Sequence, residues 1–513
     1  MTAVFRNENG RTSILRLVIL IGICLRFIPG LQTDFPINDG GMFLSMIRDL
    51  RASGFLLPET ASYNLSNIPY AYPPFGFYVA ALVSSAFPVS EIELLRWIPA
   101  AVSAAILPVF YWLSLQFFGK TPRSFLAVVL VSFLPGSFDW LVMGGGLSRS
   151  FGILFLLAAA GRALRLFRDQ DARSLRLAIL FGALAVLSHP EAGLQTVGIC
   201  FLIWLLYGRN RAGVLNAMRV SLGAAALTAP WWITVLAYHG FAPFASAMQT
   251  GIHERFLPSL FHSFFSLQGG LPLLPVLSLL GLFVTLRRRE YLLFGWAFLP
   301  FVLDPRNAPA VAQYAYILLS SEGLYFLWEE FDRAYAGSVR GDVSRSRAPV
   351  LGGILLAVLG TYLFWFAFAS ARDLGRVSLK ENDRETMEWI RLNTPTGARF
   401  LLMTNAGRIS PMTDAYQEWF PALAGRQSRN TLQGMEWLLG GEFYEYSLRL
   451  TELQSCGNVA CMEKWASDND VRVEYLLVRK PRVMPELPGA LQAEAGFEAV
   501  YETADTVIYR VEP

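Results

Sequence analysis

Apolar residues recur in long runs over the first 370 positions, and mixed, alternating patterns follow them to the C-terminus. A helix needs about 17 to 25 apolar residues to cross a hydrocarbon layer about 30 Å thick. The runs predict helices near 12–30, 94–118, 124–138, 150–167, 176–189, 193–207, 213–233, 264–286, 291–303, 312–328 and 349–370, eleven spans in all. One further run, "YAYPPFGFYVAALVSSAF" from Tyr70 to Phe87, is ambiguous. Its two prolines, Pro73 and Pro74, fit a helix start, and the segment reads as a helix lying in or dipping into one leaflet.

Charge gives the runs a direction. Basic residues fall in alternate loops: Arg6 and Arg11; Lys120 and Arg123; Arg168, Arg173 and Arg176; Arg209 and Arg211; Arg287, Arg288 and Arg289; then Arg333, Arg340, Arg345 and Arg347. The positive-inside rule makes these loops cytoplasmic. An odd number of spans then puts the N-terminus inside and residues after about 371 outside. Counting Tyr70–Phe87 as a crossing would reverse the later loops, so the first outer loop is expected to run from about 31 to 93. Ordered connections of that length are usually functional.

The last 140 or so residues read as a small soluble unit. "DRETMEWIRLNTPTGARFLLMTN" has the pattern of an amphipathic helix, a turn and a strand, and "VEYLLVRK" and "FEAVYETADTVIYRVEP" read as later strands. The expected architecture is a polytopic α-helical membrane domain over 1–370 and an extracytoplasmic α/β domain over 371–513. The 54% hydrophobic and 16% charged composition agrees with this and excludes an ordinary soluble enzyme. A net charge of +3 spread over cytoplasmic loops calls for no nucleic-acid partner. Arg26 near the end of the first run, and the turn-like "PGLQTDFPINDGG" after it, argue against a cleaved signal peptide. Of four cysteines, Cys24 and Cys200 fall in helices, while Cys456 and Cys461 have the spacing of a small disulfide and neither pair has metal-ligand spacing.

"FPINDGGMFLSM" sets Asp39 directly after the first span. Met42, Phe43, Met46, Ile47 and Leu50 share one helical face and Ser45, Arg48, Asp49 and Arg51 the other, which predicts a surface helix along the membrane. Asp39 at its start fits an N-cap, and also a catalytic base with one oxygen left free. In "FDWLVMGGGLSRSFG", Arg149 follows Gly144, Gly145 and Gly146, glycines that let a backbone approach a ligand closely; Asp139 lies upstream. Arg149 either anchors a helix end or grips a phosphate with its planar fork. "LSHPEAG" places His189 and Glu191 at a helix junction, as cap and dipole partners or as a second-choice base. "TGIHERF" holds His253, Glu254 and Arg255 in the longest later outer loop. "LDPRNAP" sets Asp304 and Arg306 at the end of a span, as an ion pair or with Arg306 as a second phosphate ligand.

The order "NDGG", amphipathic helix, "YPP", together with the sidedness and the outer tail, resembles the GT-C superfamily of integral-membrane glycosyltransferases. Oligosaccharyltransferase catalytic subunits, protein O-mannosyltransferases and aminoarabinose transferases belong to it. "ETMEWIRLNTPTGARFLL" is also similar to the start of the tail in other members. The resemblance implies transfer of a sugar from a polyprenyl phosphate in the bilayer to an extracytoplasmic acceptor, which is a protein, a lipid or a glycan. An acidic residue of the first outer loop acts there as general base or metal ligand, and Asp39 matches it, with Asn38 and Tyr72 beside it in the matching motifs. Members with pyrophosphate donors carry a second acidic motif after the third span; here Arg149 stands near that place. A metal cofactor is therefore disfavoured and a monophosphate donor expected. The Trp-Trp-Asp signature of oligosaccharyltransferases is absent: "PWWI" lies in a span, and "EWF" and "EWL" in the tail do not match it. Against the transferase stand a transporter or flippase, for which no internal repeat is evident, a membrane scaffold displaying the tail, and a polysaccharide ligase or polymerase.

Overall fold

The computed structural model describes residues 8–251, 254–266, 273–338 and 342–512. Each predicted run contains a helix, but the helices differ in length from the runs. Among the described residues five are long and apolar enough by themselves to cross a membrane: Thr12–Leu31, Glu91–Phe118, Gly146–Phe167, Pro190–Tyr207 and Arg211–His239. Shorter apolar helices pack with them, including Pro122–Phe133, Ser174–Ser188, Leu273–Arg287 and Leu292–Leu303. The run 124–138 illustrates the cause. Leu134 leaves helical geometry ahead of Pro135, and the helix stops at Phe133 after 12 residues. The carbonyls it leaves open are satisfied by buried Arg26, whose guanidinium donates to Val131 O at 3.0 Å, Ser132 O at 3.3 Å and Ser137 Oγ at 3.1 Å. An unpaired carbonyl within a bilayer costs several kcal/mol, so a short helix there needs such a partner.

At the basic end of the bundle Glu322, 1% exposed, lies 3.1 Å from Arg123 Nε and 2.6 Å from Arg288 Nη1. The pair ties two arginine-bearing turns to the long Ala308–Ser338 helix.

The opposite end carries the segment between the first two spans. It holds the Gly41–Ala52 helix, a two-residue ladder of β1 (Thr60–Ala61) with β2 (Ile68–Pro69), and the Phe75–Ala86 helix directly after the two prolines. Gly41–Ala52 buries the apolar face its pattern predicts and leaves Arg48 and Arg51 exposed, but Ser45, expected on the polar face, is buried with residues 41–47. The Ala415–Ala424 helix of the tail packs against it.

The tail builds a five-stranded sheet in the order β4 (Gln427–Ser428), β3 (Arg399–Met403), β5 (Tyr475–Arg479), β7 (Thr506–Val511), β6 (Phe497–Glu502). β3 runs parallel to β4 and β5, while β7 is antiparallel to both β5 and β6. Strand alternation sends Leu401, Met403, Leu476 and Val478 to one face, under the Phe443–Gln454 and Val459–Asp468 helices. Phe400, Leu402, Leu477 and Ile508 point the other way and join one hydrophobic cluster with Phe43, Ile47, Tyr63, Phe77 and Leu95. The sheet and the segment after the first span thus share a core. Asn64, at φ 57°, completes the junction by accepting Ser428 N–H at 2.7 Å and donating to Ser428 O at 3.0 Å. Cys456 and Cys461 form a disulfide beside the Val459–Asp468 helix.

The segment after the first span also lies against the turn ahead of the Gly146–Phe167 helix. Gly144 N–H donates to Ile37 O at 3.0 Å, and a Cβ on Gly144 would stand 1.9 Å from the main-chain oxygen of Asp39. Gly144→Ala is expected to force the two backbones apart and to cost about 1–3 kcal/mol, the range for an overpacked site. Gly182→Ala, where an added Cβ meets nothing within 4 Å, is the control and is expected to leave stability level or raised. Thermal unfolding of the two variants in one detergent makes the comparison, and equal melting temperatures would contradict the packing described here.

Candidate active site

Asp39 stands between two residues of positive φ, Asn38 at 56° and Gly40 at 132°. This backbone turns its carboxylate away from the helix that follows. The N-cap of Gly41–Ala52 is Gly40, without a side-chain cap of its own, so Asp39 is not the cap its position predicts. It serves a different helix: Oδ1 accepts Gly145 N–H at 2.8 Å, and Oδ2 accepts Arg149 Nη2 at 2.8 Å, both at the start of Gly146–Phe167. The positive end of that helix and a guanidinium therefore fix the orientation of the carboxylate. Arg149 is itself oriented, with Nε donating to Trp140 O at 3.2 Å and its guanidinium 5.2 Å from the centre of the Trp140 ring.

The acceptor for the first amide of Gly41–Ala52 comes from the tail. Glu418 Oε1 accepts Gly40 N–H at 2.8 Å, and the next residue, Trp419, donates its indole N–H to Asn38 O at 2.8 Å. Tyr63 donates its hydroxyl to the main-chain oxygen of Glu418 at 2.6 Å. Burial first, and then the charge of Asp39, hold the Glu418 carboxyl above the usual carboxylate range. Tyr72 lies on the other side: its hydroxyl is 3.1 Å from Ser148 Oγ, and its ring meets Phe43, His189 and Trp437 edge-on.

A second cluster faces this one. Asn307 Nδ2 donates to Glu191 Oε1 at 2.6 Å and to Asp304 Oδ2 at 3.1 Å, while His189 Nδ1 lies 3.4 Å from Glu191 Oε2. Of the two readings of this motif, the Asp304–Arg306 ion pair does not form; Asp304 Oδ1 instead accepts the Arg306 backbone N–H at 3.2 Å. The Arg306 guanidinium reaches Thr250 Oγ1 at 3.4 Å and Met412 Sδ at 4.0 Å and stands 5.8 Å from the Phe443 ring centre. Among the described residues no carboxylate pairs with it. The Tyr72 and His189 rings, 6.1 Å apart between centroids, bring the two clusters next to one another. Burial raises the carboxyl of Glu436. No group of three or more metal-ligating side chains occurs among the described residues.

Of the sequence candidates, Asp39, Arg149 and Tyr72 come together at the first cluster, and His189, Glu191, Asp304 and Arg306 at the second. Asn38 contributes its main chain; its side chain is buried. Glu254 is exposed, its N–H bonded to Gly251 O at 3.0 Å, and His253 lies outside the described residues. The pattern-based reading passed over Glu418–Trp419 and Glu436–Trp437 because they lack the Trp-Trp-Asp form. Their only sequence signal is a dipeptide that the tail also carries at Glu388–Trp389.

Comparison by sequence finds no matching family model and no matching curated protein. Comparison of folds finds three kinds of solved structure. ArnT from Cupriavidus metallidurans, bound to undecaprenyl phosphate, aligns over 97% of this chain and 98% of its own, with a TM-score of 0.57 and 14% identity. The archaeal oligosaccharyltransferase AglB from Archaeoglobus fulgidus, in complex with an inhibitory peptide and a dolichol-phosphate, aligns over 98% of this chain and 74% of its own, with a TM-score of 0.55 and 14% identity. The arabinofuranosyltransferase AftD from Mycobacteria aligns over 98% of this chain and 40% of its own, with a TM-score of 0.52 and 15% identity. The chain thus shares its fold with these membrane transferases along nearly its whole length.

Proposed function

We propose that the protein transfers a sugar from a polyprenyl-phosphate donor to an extracytoplasmic acceptor, with Asp39 as general base. The observation that carries this reading is the Asp39 carboxylate oriented by Gly145 and Arg149, with a second arginine, Arg306, in the neighbouring cluster that has no carboxylate partner among the described residues. In an inverting displacement the acceptor hydroxyl attacks the anomeric carbon as the carbon–oxygen bond to phosphate breaks. Asp39 takes the hydroxyl proton, and the lipid phosphate leaves with the bonding pair. A base for such a step must stand within hydrogen-bond reach of the acceptor, at the depth where the donor phosphate meets the membrane surface. Arg306 receives the phosphate charge, and Arg149, anchored through Nε and Nη2, adds Nη1. The alternating basic loops support the orientation, with the N-terminus cytoplasmic and the tail and first loop outside. The ArnT and AglB structures named above hold polyprenyl or dolichol phosphates, which supports the donor class.

In the proposed scheme no metal is needed, because two guanidiniums neutralise the leaving monophosphate. Purified protein in nanodiscs, supplied with a panel of polyprenyl-phosphate sugars, tests this with and without chelator. Asp39→Asn is expected to lower turnover by about 10²–10⁴-fold, the range for removal of a general base, with donor still bound. Glu191→Gln is expected to cost less than Asp39→Asn, and the reverse order would move the base to the second cluster. Arg306→Ala is expected to weaken donor binding by roughly tenfold or more, as for a lost charge-assisted hydrogen bond. Turnover abolished by chelator would overturn the metal-free scheme. Failure to bind or consume any donor would remove the transferase reading and favour transport or scaffolding.

A further inference from the structure

The tail places consecutive residues on the two sides of Asp39. Trp419 Nε1 holds the carbonyl of Asn38, the residue before it, and Glu418 Oε1 holds the amide of Gly40, the residue after it, each at 2.8 Å. Both flanking residues have positive φ. Gly40 joins the helix that follows only through its carbonyl, which accepts Leu44 N–H at 2.8 Å, so its own amide depends on Glu418. The fit is close: a Cβ on Gly41 would fall 2.5 Å from Glu418 O, and the Trp419 ring meets Phe35 edge-on at 4.6 Å between centroids. Glu418 is 5% exposed and Trp419 fully buried, so water does not substitute easily for either bond.

The dipeptide is anchored to the second cluster as well. Asp414 Oδ1 caps the Ala415–Ala424 helix by accepting Tyr416 N–H at 3.1 Å, and Met412, two residues earlier, touches the Arg306 guanidinium. One stretch of eight residues, Met412 to Trp419, therefore reaches both the free arginine and the main chain around Asp39.

We propose that Glu418 and Trp419 are positioning residues for Asp39, and that the Met412–Trp419 stretch of the tail fixes the distance between the base and the arginine that receives the phosphate. This rests on the transferase reading for its effect on turnover. Its physical content, a main-chain clamp on residues 38–40, is independent of that reading. What Glu418 supplies is a hydrogen-bond acceptor at Gly40, which an amide oxygen also supplies. What Trp419 supplies is an indole donor, which phenylalanine lacks while filling much of the same volume.

Full-length protein in nanodiscs is compared as wild type, Glu418→Ala, Glu418→Gln and Trp419→Phe, with two measurements. Backbone hydrogen exchange reads the peptide covering Ile37 to Ser45, and steady-state kinetics reads the best donor found. The expected result is faster exchange in that peptide for Glu418→Ala and Trp419→Phe at a melting temperature close to wild type. Their kcat falls at least tenfold with donor KM within twofold, and Glu418→Gln regains most of both losses. Exchange unchanged in Glu418→Ala and Trp419→Phe overturns the clamp. So does Glu418→Gln behaving as badly as Glu418→Ala, which would assign Glu418 a role through its charge. A rise in donor KM at constant kcat would place the stretch in donor binding and also overturn the proposal. If no donor is consumed by the wild type, the transferase reading fails, and the exchange data alone decide the clamp.

Discussion

The hydrogen-bonded ion pair of Asp39 with Arg149 is the contact on which the rest of the site depends. It joins the segment after the first span to the start of the Gly146–Phe167 helix, and it does so where two backbones approach closely enough to require glycine. A partly buried charge pair is stabilising only if its remaining hydrogen-bond capacity is filled. Here the helix amide of Gly145 and the carbonyl of Trp140 fill it.

Around that pair the molecule uses two kinds of substitution for missing backbone partners. Arg26 replaces the helical turn that the Pro122–Phe133 helix never makes, and Glu418 replaces the side-chain cap that Gly40 cannot provide. In both cases the partner is distant in sequence, by 105 and 378 residues. Such contacts turn short or irregular elements into fixed ones, and a membrane-adjacent active site needs elements that end before the lipid boundary.

The helical runs, the extra helix after Pro73 and Pro74 and the strands of the tail were legible in the chain because each has a local signature, and Asp39, Arg149 and Arg306 stood out as candidates in the same way. Hydropathy marks helices, alternation marks strands, and an ionisable residue at a span end stands out against its neighbours. The bonding of Asp39 was not legible. An N-cap is the usual reading of an acidic residue before a helix, and only the positive φ of Asn38 and Gly40, invisible in a residue pattern, redirects it. Glu418 and Trp419 were missed for a related reason. Their partners lie some 380 residues away, and nothing in "EWF" says that the helix carrying it will cover Gly41–Ala52. The burial of Ser45, on the polar face of that helix, has no signature in the residue pattern either.

The tail sheet offers its two faces to different surroundings. One is fused into the core that positions Asp39, and the other carries the Phe443–Gln454 and Val459–Asp468 helices with their disulfide. A strand residue facing the first packs into the core around Asp39, whereas its immediate neighbour in sequence points the opposite way. A change of volume among the helices and loops on the far side is therefore separated from Asp39 by the thickness of the sheet, while the same change at every second residue of β3 and β5 is felt in the membrane half of the molecule.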